Sequence, residues 1–224
     1  MNRQIFIMAQ GAGSRWEIDK HNNWYPPADY KQLVPIGDET IITRTIRQFT
    51  PNEMAVIAHG DVFYPVILNK AYIMTFQGDV GTIIRGLWMT NEFWREDQQI
   101  VFLLGDVVFS NDLVEQILSK EHYTTATIFG RTGSNPVTRK RAKEIFALVI
   151  PSGAESHNFW RQEFRSFWVN HFGEKLWDFY SINYPELDFV EINDYSDDVD
   201  SPQEYQQFYP RLQEATVNDD AKLR

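Results

Sequence analysis

Residues 4–16 read Gln4-Ile5-Phe6-Ile7-Met8-Ala9-Gln10-Gly11-Ala12-Gly13-Ser14-Arg15-Trp16, and this stretch decides the fold. The apolar run from Ile5 to Ala9 is short enough for one buried strand. It breaks into Gly11-Ala12-Gly13-Ser14-Arg15, where two glycines free the backbone to turn sharply and approach a ligand closely. Successive N–H groups in such a turn form a concave, partly positive surface that suits phosphate oxygens. Arg15 adds a planar fork of donors, and Lys31 in Tyr30-Lys31-Gln32-Leu33 adds a point charge. Strand, glycine loop, Arg and Lys in that order predict a polyphosphate site. The alternative is a strand-to-helix turn that uses glycine for geometry alone. A Walker loop is excluded, since no G-x-x-x-x-G-K-[ST] occurs, and Trp16 stands where G-x-G-x-x-G needs its third glycine.

Working outward, apolar runs and helical faces alternate. Ile41, Ile42, Thr45, Ile46 and Phe49 share a helical face, with Asp38 and Glu39 at its start. Short strands are expected at 54–58, 72–76, 124–130, 144–150 and 187–192, and the clearest buried one at 99–104. Gly81-Thr82 precedes Ile83, Ile84, Leu87 and Trp88, and a helix cap is the simpler reading of that Thr. Gly105-Asp106 ends the 99–104 strand. A carboxylate just past a core strand is where open α/β sheets place ligand chemistry, and its oxygens suit a hard cation such as Mg²⁺. Capping the next helix is the rival role, but Val107-Val108-Phe109 intervenes, and Ser110 or Asn111 is the better cap. The basic cluster Arg139-Lys140-Arg141 with Lys143 either meets an anionic acceptor or is a solvated loop, and the loop is the favoured reading for Arg139, Lys140 and Arg141. Trp160, Phe164, Phe167, Trp168, His171 and Phe172 recur at helical spacing and read as a core face that could also wall an acceptor pocket. A last helix is expected from Pro202 to about Leu212. The fold class is therefore α/β, a mixed, mainly parallel sheet flanked by helices, Rossmann-like, with a less regular later half. We expect one domain over residues 1–215 and a loose tail over 216–224.

Composition narrows the function. A net charge of −10 argues against general attraction to nucleic acid or an anionic membrane, so a phosphate ligand needs a local site and a metal. The absence of Cys excludes disulfides and thiolate metal sites. No apolar run reaches transmembrane length, and the first is too short for a signal peptide, which makes a cytoplasmic location the default. Aromatics at 15% imply a broad core or an aromatic-lined surface.

Taken in order, the motifs resemble the nucleotidyltransferases of the GT-A-like fold, which make sugar nucleotides and similar activated metabolites. Met8-Ala9-Gln10-Gly11-Ala12-Gly13-Ser14-Arg15-Trp16 is similar to that family's opening A-A-G-x-G-x-R-M, and Tyr30-Lys31-Gln32-Leu33-Val34-Pro35-Ile36 to its P-K-x-L-x-P-[IV]. Gly81-Thr82 matches a base-contacting turn, and Leu104-Gly105-Asp106 a strand end that carries a metal ligand. Asp198-Val199-Asp200-Ser201-Pro202-Gln203-Glu204-Tyr205 resembles the closing D-x-D-T-P-E-D-[LY]. Gln10 in place of Ala, Trp16 in place of Met and Tyr30 in place of Pro depart from the pattern.

The resemblance implies transfer of a nucleoside monophosphate from an NTP to a small phosphorylated acceptor, with a sugar phosphate the leading candidate, Mg²⁺ as cofactor and pyrophosphate released. Arg15 and Lys31 would be catalytic. Ala9, Gln10, Gly11, Ala12, Gly13, Ser14, Gly81 and Thr82 would bind the nucleotide, and Asp106 and Asp200 the metal, with Asp198 the rival of Asp200. Residues 130–185 would form the acceptor side. No nucleic-acid or membrane partner is expected, and homo-oligomerisation stays open. Two alternatives remain: a GT-A-type glycosyltransferase using an NDP-sugar, for which Asp198-Val199-Asp200 would be the D-x-D, and a non-catalytic nucleotide-binding module.

Overall fold

A computed structural model of the chain describes residues 2–10, 30–58, 71–75, 82–119, 124–140, 143–171 and 175–221. Strand β1 (Arg3–Met8) lies inside a seven-stranded sheet, flanked by β4 (Glu53–Ala58) and β6 (Gln99–Leu104), both parallel to it. Its unbroken apolar run has a physical cause: both faces of a parallel sheet are covered, so neither set of alternating side chains can be polar. Ile5 and Ile7 face helices α1 (Ile41–Phe49) and α3 (Asn111–Ser119) through Ile42, Ile46, Phe49, Leu113 and Ile117. Phe6 and Met8 face the other layer, built from α2 (Ile83–Met89), α4 (Ala154–Asn170) and α5 (Leu176–Asn183). The aromatic repeat read from the sequence supplies that second layer: Trp160, Phe164 and Phe167 are buried on α4 and pack with Phe179 of α5.

The remaining strands of the sheet are β5 (Tyr72–Thr75), β8 (Ala126–Arg131), β9 (Glu144–Ile150) and β10 (Leu187–Glu191), in the order β10-β8-β9-β6-β1-β4-β5. Only β9 runs antiparallel to its neighbours, β6 and β8. The mixed, mainly parallel sheet expected from the sequence is thus observed, and its irregular later half resolves into this one reversal. Two short ladders lie outside the sheet. One pairs β2 (Pro35–Ile36) with β3 (Glu39–Thr40), and the other pairs β7 (Val107–Val108) with β11 (Asp197–Asp198). Thr40 caps α1 through the backbone N–H of Thr43, while Glu39 instead pairs with Arg47.

The expected loose tail, 216–224, is corrected over residues 216–221; residues 222–224 lie outside the described residues. Helix α6 (Pro202–Ala221) continues well past Leu212 and carries Pro210 inside it. Its last turns are held by side chains. Arg44, 3% exposed, donates to both carboxylate oxygens of Asp220 at 2.6 and 3.0 Å. Asp219 accepts from the Asn111 N–H at 2.7 Å and the Tyr195 hydroxyl at 2.8 Å. Local composition could not reveal this, because the partners lie 24 to 176 residues away in sequence.

Ending the chain at residue 215 takes the Asp220 carboxylate away from the buried Arg44 guanidinium and leaves it, among the described residues, only Tyr195. Because the Asp220 side chain is 32% exposed, we expect a loss of about 2–3 kcal/mol in urea denaturation, somewhat less than a fully buried pair would give. Unchanged stability would restore the loose-tail reading. Burial opposes the Asp220 charge, but the hydrogen bonds and charge of Arg44, with Arg47, outweigh it and lower its pKa. That contribution is therefore complete above the unfolded-chain value of about 3.9 and is lost as pH falls through the folded one.

Candidate active site

The parallel strands β1, β6 and β8 end on one rim of the sheet, and the chemistry-bearing residues gather there. Gly105 sits at a close approach: its N–H donates to Met8 O at 3.0 Å, and a Cβ there would sit 3.1 Å from Ala9 Cβ, tight enough to push the neighbour aside. This packs the Gly105-Asp106 turn against the end of β1. The Val199 N–H then donates to Asp106 O at 3.1 Å, and β11 pairs with β7, so the Asp198–Asp200 segment lies alongside the Asp106 turn. Asp106 and Asp200, far apart in sequence, share one partner. The Lys31 ammonium bonds Asp106 Oδ2 and lies 3.7 Å from Asp200 Oδ1. Lys31 opens the short 3-10 turn Lys31–Leu33, whose Gln32 amide donates to Ala9 O at 3.5 Å.

The other side of the cluster was not foreseen. Glu144 begins β9 and Lys140 precedes it, and both enter the site. One carboxylate oxygen each from Glu144, Asp198 and Asp200 lie within 4.8 Å of one another. Lys140 Nζ stands 2.6 Å from Asp198 Oδ1, 3.3 Å from Glu204 Oε2, and 3.6 Å from Glu144 Oε1 and from Asp200 Oδ2. The solvated-loop reading of this lysine is therefore corrected. Its only signal in the sequence was a basic run in an acidic chain.

Among the described residues, two ammonium groups face five carboxylates (Asp106, Glu144, Asp198, Asp200 and Glu204). Burial works against the charge of Lys31, but Asp106, and then Asp200 and Asp198, raise its pKa all the same. Burial likewise opposes the charge of Lys140, and Asp198, Asp200 and Glu144 outweigh it. Burial and then the Glu144 charge push Asp198 well above the usual carboxylate range, against the pull of Lys140. Glu144 rises for the same first reason, with Asp200, Asp197 and Asp106 adding to it. The residual negative charge, and a donor set made only of carboxylate oxygens, fit a hard divalent cation such as Mg²⁺.

The other expected site residues divide into two groups. Gly11, Ala12, Gly13, Ser14, Arg15 and Gly81 lie outside the described residues. Thr82 caps α2, its hydroxyl accepting from Arg85 N at 3.3 Å. Ala9 is buried, and its N–H continues the ladder to Ile57 O at 2.8 Å. Gln10 is 4% exposed, and among the described residues neither polar atom of its amide has a hydrogen-bond partner. It packs against Gly86 of α2, where a Cβ would displace the Gln10 amide.

No protein-family model matches the chain, and no curated protein matches it. Solved structures do. A nucleotidyl transferase from Methanothermobacter superposes with a TM-score of 0.70 at 15% identity, over 94% of this chain and 97% of its own. CTP:phosphocholine cytidylyltransferase from Streptococcus pneumoniae gives 0.61 at 14% identity, over 95% of this chain and 100% of its own. The inositol-1-phosphate CTP transferase from T. maritima gives 0.61 at 10%, over 96% and 98%. The chain has the nucleotidyltransferase fold.

Burying an unpaired amide costs about 1–3 kcal/mol per unsatisfied group. Gln10→Met keeps the volume and removes both polar atoms. It should raise unfolding free energy by about 1–2 kcal/mol in the ligand-free protein, measured by urea denaturation. A lower stability would show that the amide is satisfied.

Proposed function

We propose that the protein transfers a nucleoside monophosphate from an NTP to a small phosphorylated acceptor and releases pyrophosphate. The observation that carries this reading is Lys31 lying between Asp106 and Asp200 on the rim where β1 leads toward the glycine segment, within a nucleotidyltransferase fold. The named neighbours add support for the acceptor class, since one acts on phosphocholine and another on inositol 1-phosphate. A sugar phosphate is the acceptor we favour.

In this reading Gly11 to Ser14 and Arg15 cradle the triphosphate, and Ala9, Gln10, Gly81 and Thr82 surround the base. Asp106 and Asp200 would hold Mg²⁺, which supplies charge neutralisation at the phosphates when bound. Lys31 then exchanges Asp106 for a phosphate oxygen and stabilises the charge that develops on the leaving group. An acceptor phosphate oxygen forms the new bond to the α-phosphorus, and the bond from that phosphorus to the pyrophosphate oxygen breaks. The attacking group is already an anion, so no protein base is needed; positioning and charge do the work. The acceptor approaches from residues 130–185. Among the described residues no helix is long and apolar enough to cross a membrane.

Pyrophosphate release, assayed with each NTP against a panel of phosphorylated acceptors, tests the reading. Lys31→Met should lower kcat by about 100-fold with an unchanged circular dichroism spectrum. Asp106→Asn and Asp200→Asn should each abolish metal-dependent turnover, also with the fold intact. Cleavage of an NDP-sugar, with no pyrophosphate from any NTP, would replace this reading with the glycosyltransferase one.

A further inference from the structure

The activity proposed above makes no use of Lys140, yet the structure encloses this side chain. It is 11% exposed and touches Asp198, Glu204, Glu144 and Asp200, all within 3.6 Å. An ordinary surface ion pair has one partner and contributes little. Four carboxylates around one ammonium is a cage of the kind otherwise built for a metal ion.

The backbone is shaped to deliver the lysine there. Asn135 N donates to Lys140 O at 2.9 Å and closes the 135–140 loop into a ring. Asn135 Oδ1 accepts from Val137 N at 2.7 Å and Thr138 N at 2.9 Å, while its amide nitrogen donates to Tyr195 O and Ser196 O. The Thr138 hydroxyl donates to Asp197 Oδ2 at 2.6 Å and accepts from Lys140 N at 3.2 Å. Arg139 takes a left-handed φ of 65°, a conformation that a non-glycine residue adopts at a cost of order 1 kcal/mol. That turn leaves Arg139 exposed while Lys140 faces the carboxylates. A loop that only joined two strands would need none of these bonds to the 195–197 segment.

We infer that Lys140 is a tethered cation: its ammonium fills the Glu144–Asp198–Asp200 face of the cluster, keeps a divalent ion off that face, and leaves metal binding to the Asp106 side of Asp200. It is a positioning residue, acting through Asp198 and Asp200. A covalently attached ammonium needs no metal to be recruited, and it holds the acidic segment in one place whether or not a nucleotide is bound. The inference rests on the proposed function only for which ion is excluded; the geometry of the cage stands without it.

The experiment is a Mn²⁺ titration without nucleotide, followed by the electron paramagnetic resonance signal of the free ion. Lys140→Met should bind one more Mn²⁺ per chain than the wild type. The double variant Lys140→Met with Glu144→Gln, which removes one charge of each sign, should return to the wild-type count. Thermal melts with Mg²⁺ and with a chelator form the second measurement: Mg²⁺ should raise the Tm of Lys140→Met more than that of the wild type. If that variant is unfolded in chelator, Mg²⁺ should fold it. A wild-type Mn²⁺ count in Lys140→Met, an extra ion that persists in the double variant, or a protein unfolded with and without divalent cations would each overturn the inference. Pyrophosphate release is a separate readout. Its absence alongside an extra Mn²⁺ would sink the transferase reading and leave this one standing.

Discussion

Mutual repulsion among carboxylates crowded on one rim of the sheet is the constraint on which the rest of this structure depends. Glu144, Asp198 and Asp200 bring oxygens within 4.8 Å of one another, and Asp106 adjoins them through Lys31. Such a group is relieved by cations inside it or by protonation of its members. Among the described residues the chain supplies two cations, from two unrelated places: a short turn after the glycine segment for Lys31, and a hydrogen-bonded ring before β9 for Lys140. The two differ in kind. Lys31 has two carboxylate partners, Asp106 and Asp200, and is as enclosed as Lys140. Lys140 has four and is fixed at its backbone.

The single antiparallel strand explains how Glu144 comes to be there at all. In a parallel sheet every strand presents its last residues at the ligand rim, and its first residues at the far side. Strand β9 runs the other way, so its first residue arrives where its neighbours end; Glu144 pairs in register with Arg131, the last residue of β8. The reversal places an additional carboxylate in the site without lengthening any loop from the rim.

Much of this was legible in the sequence, and the reasons for success and failure are physical. Strands β1 and β6 are buried on both faces, so they show as unbroken apolar runs. Asp106 could be read because it follows such a run directly. Lys140 could not, because its direction is set by bonds spanning 58 to 61 residues, from Thr138 to Asp197, from Asn135 to Ser196 and from Lys140 itself to Asp198. Glu144 looked like any polar residue opening a strand, since the sense of a strand leaves no mark on its own composition. The end of α6 failed for the same reason as Lys140: a polar helix with an internal proline reads as fraying unless its distant partners Arg44, Asn111 and Tyr195 are known.

The acidic segment is itself held by a buried ion pair, and this bears on why the site is built as it is. Arg131 and Asp197 are 2% and 1% exposed and meet at 2.7 Å, with Arg131 also donating to Ser196 O at 2.8 Å. A fully buried pair contributes little net stability, because desolvating both ions offsets their attraction, and well-packed apolar residues would often do as well. What apolar residues could not supply is direction. The guanidinium fork fixes Ser196 and Asp197 at two points, Thr138 takes the second oxygen of Asp197, and the next residue of the strand, Asp198, is turned toward Lys140. The pair is therefore best understood as a geometric element. It sets the position of the carboxylates beside it, and the broad aromatic and aliphatic cores on the two faces of the sheet offset what that costs.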